Sequence, residues 1–166
     1  LQTKWALSLR YVDTELDRPR WRSTASYRIL PALQIGAEYN IAAVEVGPIA
    51  TWFFLREEGR RPAAFMGTSS DRIGSPEGTQ AYYLTVAKNL DPVPVSAYGT
   101  VNYSEWDAGW NYPFGANIEV IPRVTIQPMY DGHRTHLLGT YAADRFSVTL
   151  IYAWLENAGI AASIGF

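Results

Sequence analysis

The chain has no cysteine among its 166 residues, which excludes disulfides and thiolate metal centres. Charge is scarce: Asp, Glu, Lys and Arg make up 18% of the residues, against about 25% in a typical soluble domain. The formal net charge of −2 leaves no basic stripe to cover phosphates, so nucleic acid is excluded as a partner. Long apolar runs are missing too. The nearest candidate, IAAVEVGPIATWFFL, is broken by Glu45 and by Gly47-Pro48, and no spanning helix of about 18 residues is expected. The opening LQTKW carries no charged-then-apolar leader, so a signal peptide is expected to have been removed or never to have existed.

What is abundant is aromatic. Eleven Tyr, six Trp and six Phe make up 14% of the chain, and hydrophobic residues 48%, yet mean hydropathy is near neutral. Apolar residues are therefore interleaved with polar ones. KWALSLRYV sets Trp5, Leu7, Leu9 and Tyr11 against Ala6, Ser8 and Arg10. RWRSTASYRI sets Trp21, Ala25, Tyr27 and Ile29 against Arg20, Arg22, Thr24, Ser26 and Arg28. LQIGAEYN sets Leu33, Ile35, Ala37 and Tyr39 against Gln34, Gly36, Glu38 and Asn40. This is the period of a strand, and helical spacing is scarce.

Further strands are expected near 48–56, 61–69, 78–88, 94–104, 111–121, 123–130, 135–142, 145–155 and 159–166. The total is about twelve strands in one domain, residues 1–166. Connections such as LPA, IPR and AADR are tight, while DTELDRPR, SSDRIGSPEG and SEWDAGWN are longer and polar. Tight turns at one end and longer loops at the other, with weak alternating strands between, predict an all-β fold: a transmembrane antiparallel up-and-down β-barrel. The alternative is a soluble calyx-like barrel, which needs a polar outer surface and a dry interior.

On alternate strands Trp5, Tyr11, Trp21, Tyr27, Tyr152, Trp154 and Phe166 fall at two levels, as expected of aromatic girdles at the two headgroup layers. The last strand, with Ile160, Ala162, Ile164 and Phe166 on one face, resembles the C-terminal assembly signal of bacterial outer-membrane β-barrel proteins. The segment GTSSDRIGSPEGTQAYYLTVAKNL is similar to small envelope barrels, some associated with exopolysaccharide export. The resemblance implies a bacterial outer-membrane location, outer-membrane lipid and lipopolysaccharide as partners, and an envelope protein complex as a further candidate. It transfers no catalytic residue and no cofactor.

Arg10, Arg20, Arg22, Arg28, Gln34, Glu38, Asn102, Asn117 and Glu119 are expected to line the lumen. The arginines either form a cationic wall that favours anionic solutes or pair with Glu38, Glu119 and other inner carboxylates as a structural network. Arg18, Arg20 and Arg22 could alternatively clamp lipopolysaccharide phosphates at the rim. Phe53 and Tyr98 are expected to obstruct water. About twelve strands lie between a filled barrel and an open porin. No long inward-folding loop is evident, although SSDRIGSPEG could narrow the mouth.

Catalysis is not expected. His133 and His136 in YDGHRTH point to opposite faces of a strand and do not chelate. His136 with Ser147 or Thr149 is the one nucleophile–base pairing available, and it lies in no recognisable motif. The first functional expectation is a narrow pore or passive conduit for small or anionic solutes. The alternative is a non-conducting structural or accessory barrel that anchors or surrounds a larger envelope assembly, with an outer-membrane lipid-modifying enzyme ranked behind both.

Overall fold

A computed structural model describes residues 3–166. Thirteen antiparallel strands form one sheet: β1 (Trp5–Val12), β2 (Trp21–Leu30), β3 (Leu33–Asn40), β4 (Glu45–Leu55), β5 (Ala63–Ser70), β6 (Gln80–Asn89), β7 (Val95–Ser104), β8 (Gly109–Asn111), β9 (Phe114–Ile121), β10 (Val124–Tyr130), β11 (Thr135–Ala142), β12 (Phe146–Ala153) and β13 (Asn157–Gly165). The one helix among the described residues is α1 (Asp17–Arg20), a single turn. No helix there is long and apolar enough to cross a membrane.

Chain neighbours pair throughout except β8 with β9, and β1 pairs with β13 to close the ring. The expected 111–121 strand is divided into β8 and β9 at Tyr112-Pro113, because proline has no N–H to give the ladder. Both pieces pair with β7, with β8 beside Asn102–Ser104 and β9 beside Val95–Gly99. They share one stave, so the closed barrel has twelve. Both ends of the sheet, Trp5 and Phe166, meet at the turn end, where Trp5 N donates to Phe166 O at 2.9 Å. The opposite end, carrying residues 13–20, 71–79, 105–108 and 131–134, is the loop end.

The packing is inside out relative to a soluble sheet. Leu7, Leu9 and Leu150 are 41%, 43% and 65% exposed, whereas Glu38 is 1% exposed. On most strands residues of one parity carry Leu, Val, Ile, Trp and Tyr outward, and residues of the other carry Ser, Thr, Asn, Arg and Glu inward. A calyx would show the reverse. β4 and β5 depart from this pattern, with Phe53 and Phe65 on the inner side, their rings 5.3 Å apart and Phe65 6.5 Å from the inner Tyr83. Outward aromatics pair across strands at two levels. Trp5 stacks on Tyr27 at 4.6 Å and Tyr141 on Phe146 at 6.3 Å near the turn end. Tyr11 meets Trp21 at 4.8 Å and Tyr103 meets Trp110 at 5.3 Å near the loop end. On β1 the two levels are six residues apart, ~20 Å along the strand.

The inner wall is held by hydroxyl pairs between neighbouring strands: Ser8 with Thr24 at 2.5 Å, Thr85 with Thr100 at 2.8 Å, Thr140 with Thr149 at 2.9 Å and Ser147 with Ser163 at 2.6 Å. Two inner tyrosines lie flat over glycines. A Cβ on Gly67 would stand 2.6 Å from the Tyr83 hydroxyl, and one on Gly115 2.6 Å from that of Tyr98. Tyr98 thus lies along the wall, its hydroxyl accepting from Gln127 at 3.2 Å. Covering a glycine with an aromatic ring lets the sheet curve without a gap.

Candidate functional site: the closed loop end

Burial divides the lumen into two halves. Val12, Arg18, Glu38, Asn40, Asp71, Asn102, Ser104, Asn111, His136, Ile151 and Ala153 are buried, and all lie toward the loop end. Toward the turn end Ser8, Thr24, Ser26, Thr149, Ala161 and Ser163 are only half-buried, so this part of the wall faces open space, whereas Thr85, paired with the inner Phe65, is buried.

The closure comes from residues 71–79, the connection between β5 and β6. In ring order the β12–β13 hairpin stands opposite the β5–β6 hairpin. Ile73 nevertheless packs against the Val12, Ile151 and Ala153 cluster of β1 and β12. The segment therefore crosses the whole mouth. Gly74 has a positive φ of 94°, and a Cβ there would come within 3.2 Å of the Trp154 ring, so this turn admits no larger residue without shifting the indole. The space left between Arg10, Arg18, Asn40 and residues 70–75 is about 10 Å³, no more than one water requires.

Charged groups tie the segment down at both ends. Arg18, brought inward by α1, forms an ion pair with Glu45 at 2.9 Å. It also donates to Ser75 Oγ at 2.5 Å, to the Pro76 carbonyl and to Thr79 Oγ1 at 2.8 Å. Asp71 accepts from Ser104 Oγ at 2.6 Å and from Trp106 N at 3.3 Å. Arg72 grips Asp107 and stacks on Trp106, its guanidinium carbon 4.1 Å from the ring centroid. Hydrogen bonds from Arg72 hold the Asp107 carboxyl well below the usual carboxylate range, against the opposing effect of burial and with His133 adding to the shift.

The expected lumen residues fall into distinct places. Arg10, Arg22 and Glu38 come together: Arg10 is in register with Arg22, and Arg22 Nη2 and Nε donate to Glu38 Oε2 at 2.5 and 3.1 Å. Asn102 donates to Asn111 Oδ1 at 3.0 Å beneath the closed mouth. Gln34 donates to Ser26 Oγ at 2.5 Å, and Arg28 lies near the turn end, donating to the Pro31 carbonyl at 3.4 Å. Asn117 and Glu119 line a cavity of about 230 Å³ at the turn end. There Glu119 is exposed and distant from the arginines it was expected to neutralise, because β9 places it at the lip.

Three expectations require correction. Arg20 is not on the inner wall; α1 interrupts the strand period, and its Nε donates to the Thr14 carbonyl at 2.8 Å on the rim. Arg18 is not a free rim cation, being 7% exposed, ion-paired to Glu45 and bonded through its Nη groups to residues 75–79. Trp154 does not belong to the outward aromatics. It lies in the β12–β13 turn and packs beside Ile73 and the Val12 cluster. Trp5, Tyr11, Trp21, Tyr27, Tyr152 and Phe166 do sit on the outward parity.

His136 is buried, and both of its ring nitrogens are occupied. Nδ1 accepts from Trp154 N at 3.1 Å, so the proton sits on Nε2 and is donated to Asp131 Oδ2 at 2.7 Å. Ser147 and Thr149 bond to Ser163 and Thr140 instead, so the structure does not bring the histidine and a hydroxyl together. Burial raises the Asp131 carboxyl, but His136 and the N–H groups of Arg134 and His133 outweigh it and lower it on balance. Among the described residues no group of acidic or histidine side chains is arranged to hold a metal.

The sequence predicts no long inward-folding loop and allows SSDRIGSPEG only to narrow the mouth; the structure carries residues 71–79 across to the far wall. The one signal of this crossing is Ile73, a lone aliphatic residue amid Ser, Asp, Arg, Gly and Pro. No family model matches this chain, and no curated protein is similar to it.

Proposed function

We propose that this chain is an integral β-barrel of the bacterial outer membrane whose lumen is closed at the loop end at rest, acting as a structural or accessory barrel within a larger envelope assembly. The apolar outward parity supports the membrane half of this reading, since a belt of Leu, Val and Ile between two aromatic levels meets lipid without cost and water only at high cost. The ring of cross-strand pairs leaves no free sheet edge, the condition for a sheet to enter hydrocarbon. Outer-membrane lipid and lipopolysaccharide are then its immediate neighbours.

The observation that carries the closed-lumen half is Ile73 seated on the far wall, with Arg18 and Arg72 anchoring the segment on either side of it. Three arginines carry no excess charge, since Arg18, Arg22 and Arg72 are matched by Glu45, Glu38 and Asp107. Arg10, in register with Arg22, and Arg28 keep their charge, each with a buried Nε that has no partner, so the closed mouth rather than a neutral lining is what argues against an anion conduit. No catalytic role is assigned, as His136 has no nitrogen free to act as a base.

Single-channel recording in a planar bilayer tests the proposal. The wild-type chain is expected to be silent, and Arg72→Ala combined with Ile73→Ser is expected to produce conductance steps. Reproducible steps from the wild type would overturn closure and restore the narrow-conduit reading. Extraction without detergent, or identical gel migration of boiled and unboiled protein, would overturn the membrane reading.

A further inference from the structure

The closed mouth carries on its outer side a concavity of about 390 Å³, within the ~300–1000 Å³ range of small-ligand sites. Its two large apolar surfaces are indoles. Trp106 is 41% exposed, and the Arg72 guanidinium backs it. Trp154 is backed by residues 73 and 74, with the Arg134 guanidinium carbon 5.6 Å from its centroid. Around them the rim supplies donors from His133, Arg134 and Asn157 and acceptors from Asp131 and Glu156.

The backbone beneath Trp154 is unusual. Trp154 and Leu155 have φ of 55° and 56°, and Glu156 N bonds to the Ala153 carbonyl at 3.0 Å. Trp154 and Leu155 are the central residues of this turn, inside a three-residue loop between the paired Ala153 and Asn157, and both are left-handed, a conformation that Asn-Gly adopts without strain. Bulky side chains there are outliers, and such strain persists where the surrounding structure holds it, commonly at ligand sites. Here it sets an indole at the wall of the concavity.

We infer that this concavity is a binding site for a neutral saccharide. A pyranose presents a face of polarised C–H bonds that suits the negative face of an indole. Its edge hydroxyls both donate and accept, and the mixed rim satisfies both. The charge on the rim rules against an anion: Arg72 is consumed by Asp107, Arg134 Nη1 lies 3.9 Å from Glu156, and Asp131 faces the same space. Because residues 71–79 seal the floor, the site is reached from the loop side alone, and a longer glycan lies across it with one or two units inside. This inference goes beyond the closed-barrel reading and needs only the folded loop end.

The test uses the full chain refolded in detergent, with folding verified independently by the difference in gel migration between boiled and unboiled samples. Maltopentaose, cellopentaose and chitotetraose are titrated, with saturation-transfer NMR and tryptophan fluorescence as readouts. At least one is expected to bind saturably. Trp106→Ala is expected to weaken that binding at least tenfold with folding intact, and Trp5→Phe, on the outward face at the turn end, to leave it unchanged. Phosphorylated lipopolysaccharide core oligosaccharide and inorganic phosphate serve as the anionic arms. Silence with all three neutral sugars, binding of the anionic probes alone, or an unchanged Trp106→Ala titration would each overturn the inference, and none of these results bears on membrane insertion or conductance.

Discussion

Arg72 and Asp107 meet across the loop end in a two-point pair: Nη1 donates to Oδ2 at 2.6 Å and Nη2 to Oδ1 at 2.9 Å. His133 Nε2 reaches the same Oδ2 at 2.8 Å. One carboxylate thus joins the segment after β5 to the loops after β7 and β10. Two planar groups bonded in parallel hold direction as well as distance, which is what a segment spanning an open mouth requires.

The pair makes closure sensitive to acid. The carboxyls of Asp107 and Asp131 are both lowered in the folded chain. Their contribution is therefore complete above the unfolded value of about 3.9 and is lost as pH falls through the lower folded values. Bilayer recordings of the wild type are expected to stay silent from neutral pH to about 5 and to show openings only below about 4. Asp107→Asn is expected to open at neutral pH. Equal silence of the wild type and Asp107→Asn throughout would show that the pair does not hold the segment.

Two glycines are expected to be irreplaceable and two expendable. A Cβ at Gly67 would lie 2.1 Å from the Ala50 carbonyl oxygen, and one at Gly115 2.7 Å from that of Pro128. Gly67→Ala and Gly115→Ala should each cost about 1–3 kcal/mol in urea unfolding from detergent. At Gly99 and Gly139 a Cβ meets nothing within 4 Å, and alanine there should stay within about 0.5 kcal/mol of the wild type. Equal unfolding midpoints for all four would contradict the flat-lying tyrosines.

Removing Glu38 alone should cost more than removing it together with Arg22. Glu38→Gln leaves Arg22 beside Arg10 without its carboxylate, and breaking a buried pair from one side costs about 3–5 kcal/mol. The double variant Glu38→Leu/Arg22→Leu is expected to be the more stable of the two in the same unfolding experiment. A double variant less stable than Glu38→Gln would indicate that the pair contributes net stability rather than mutual neutralisation.

The barrel was legible because alternation is the most direct imprint of a sheet with unlike faces. Lys4–Val12, Trp21–Ile29 and Leu33–Asn40 have a wet side and a greasy side at period two, and β1, β2 and β3 follow them closely. The same rule misled at strand ends. Alternation through Tyr152 and Trp154 reads as one outward face, yet the strand stops at Ala153 and the turn sends Trp154 elsewhere. Likewise Arg20 keeps the parity of Arg22, but α1 breaks the period before β2 begins. The closure was legible only as a narrowing by SSDRIGSPEG, for a different reason. Residues 71–79 have the composition of an exposed loop, and their burial depends on partners at Glu45, Ser104 and Asp107, far away in sequence, which local pattern does not reveal.

The absence of native cysteine makes the central claim directly measurable. Single cysteines placed at Leu9, Leu84 and Leu150, and separately at Ser8, Thr85 and Thr149, can carry a nitroxide label in protein reconstituted into lipid vesicles. Spin-relaxation accessibility then compares molecular oxygen, which concentrates in hydrocarbon, with a water-soluble nickel chelate. The expected result is high oxygen and low chelate accessibility at the three leucines, with oxygen accessibility low at the three hydroxyl positions. Leucine sites accessible to the chelate, with the hydroxyl sites oxygen-rich, would contradict a barrel that turns its apolar face to lipid.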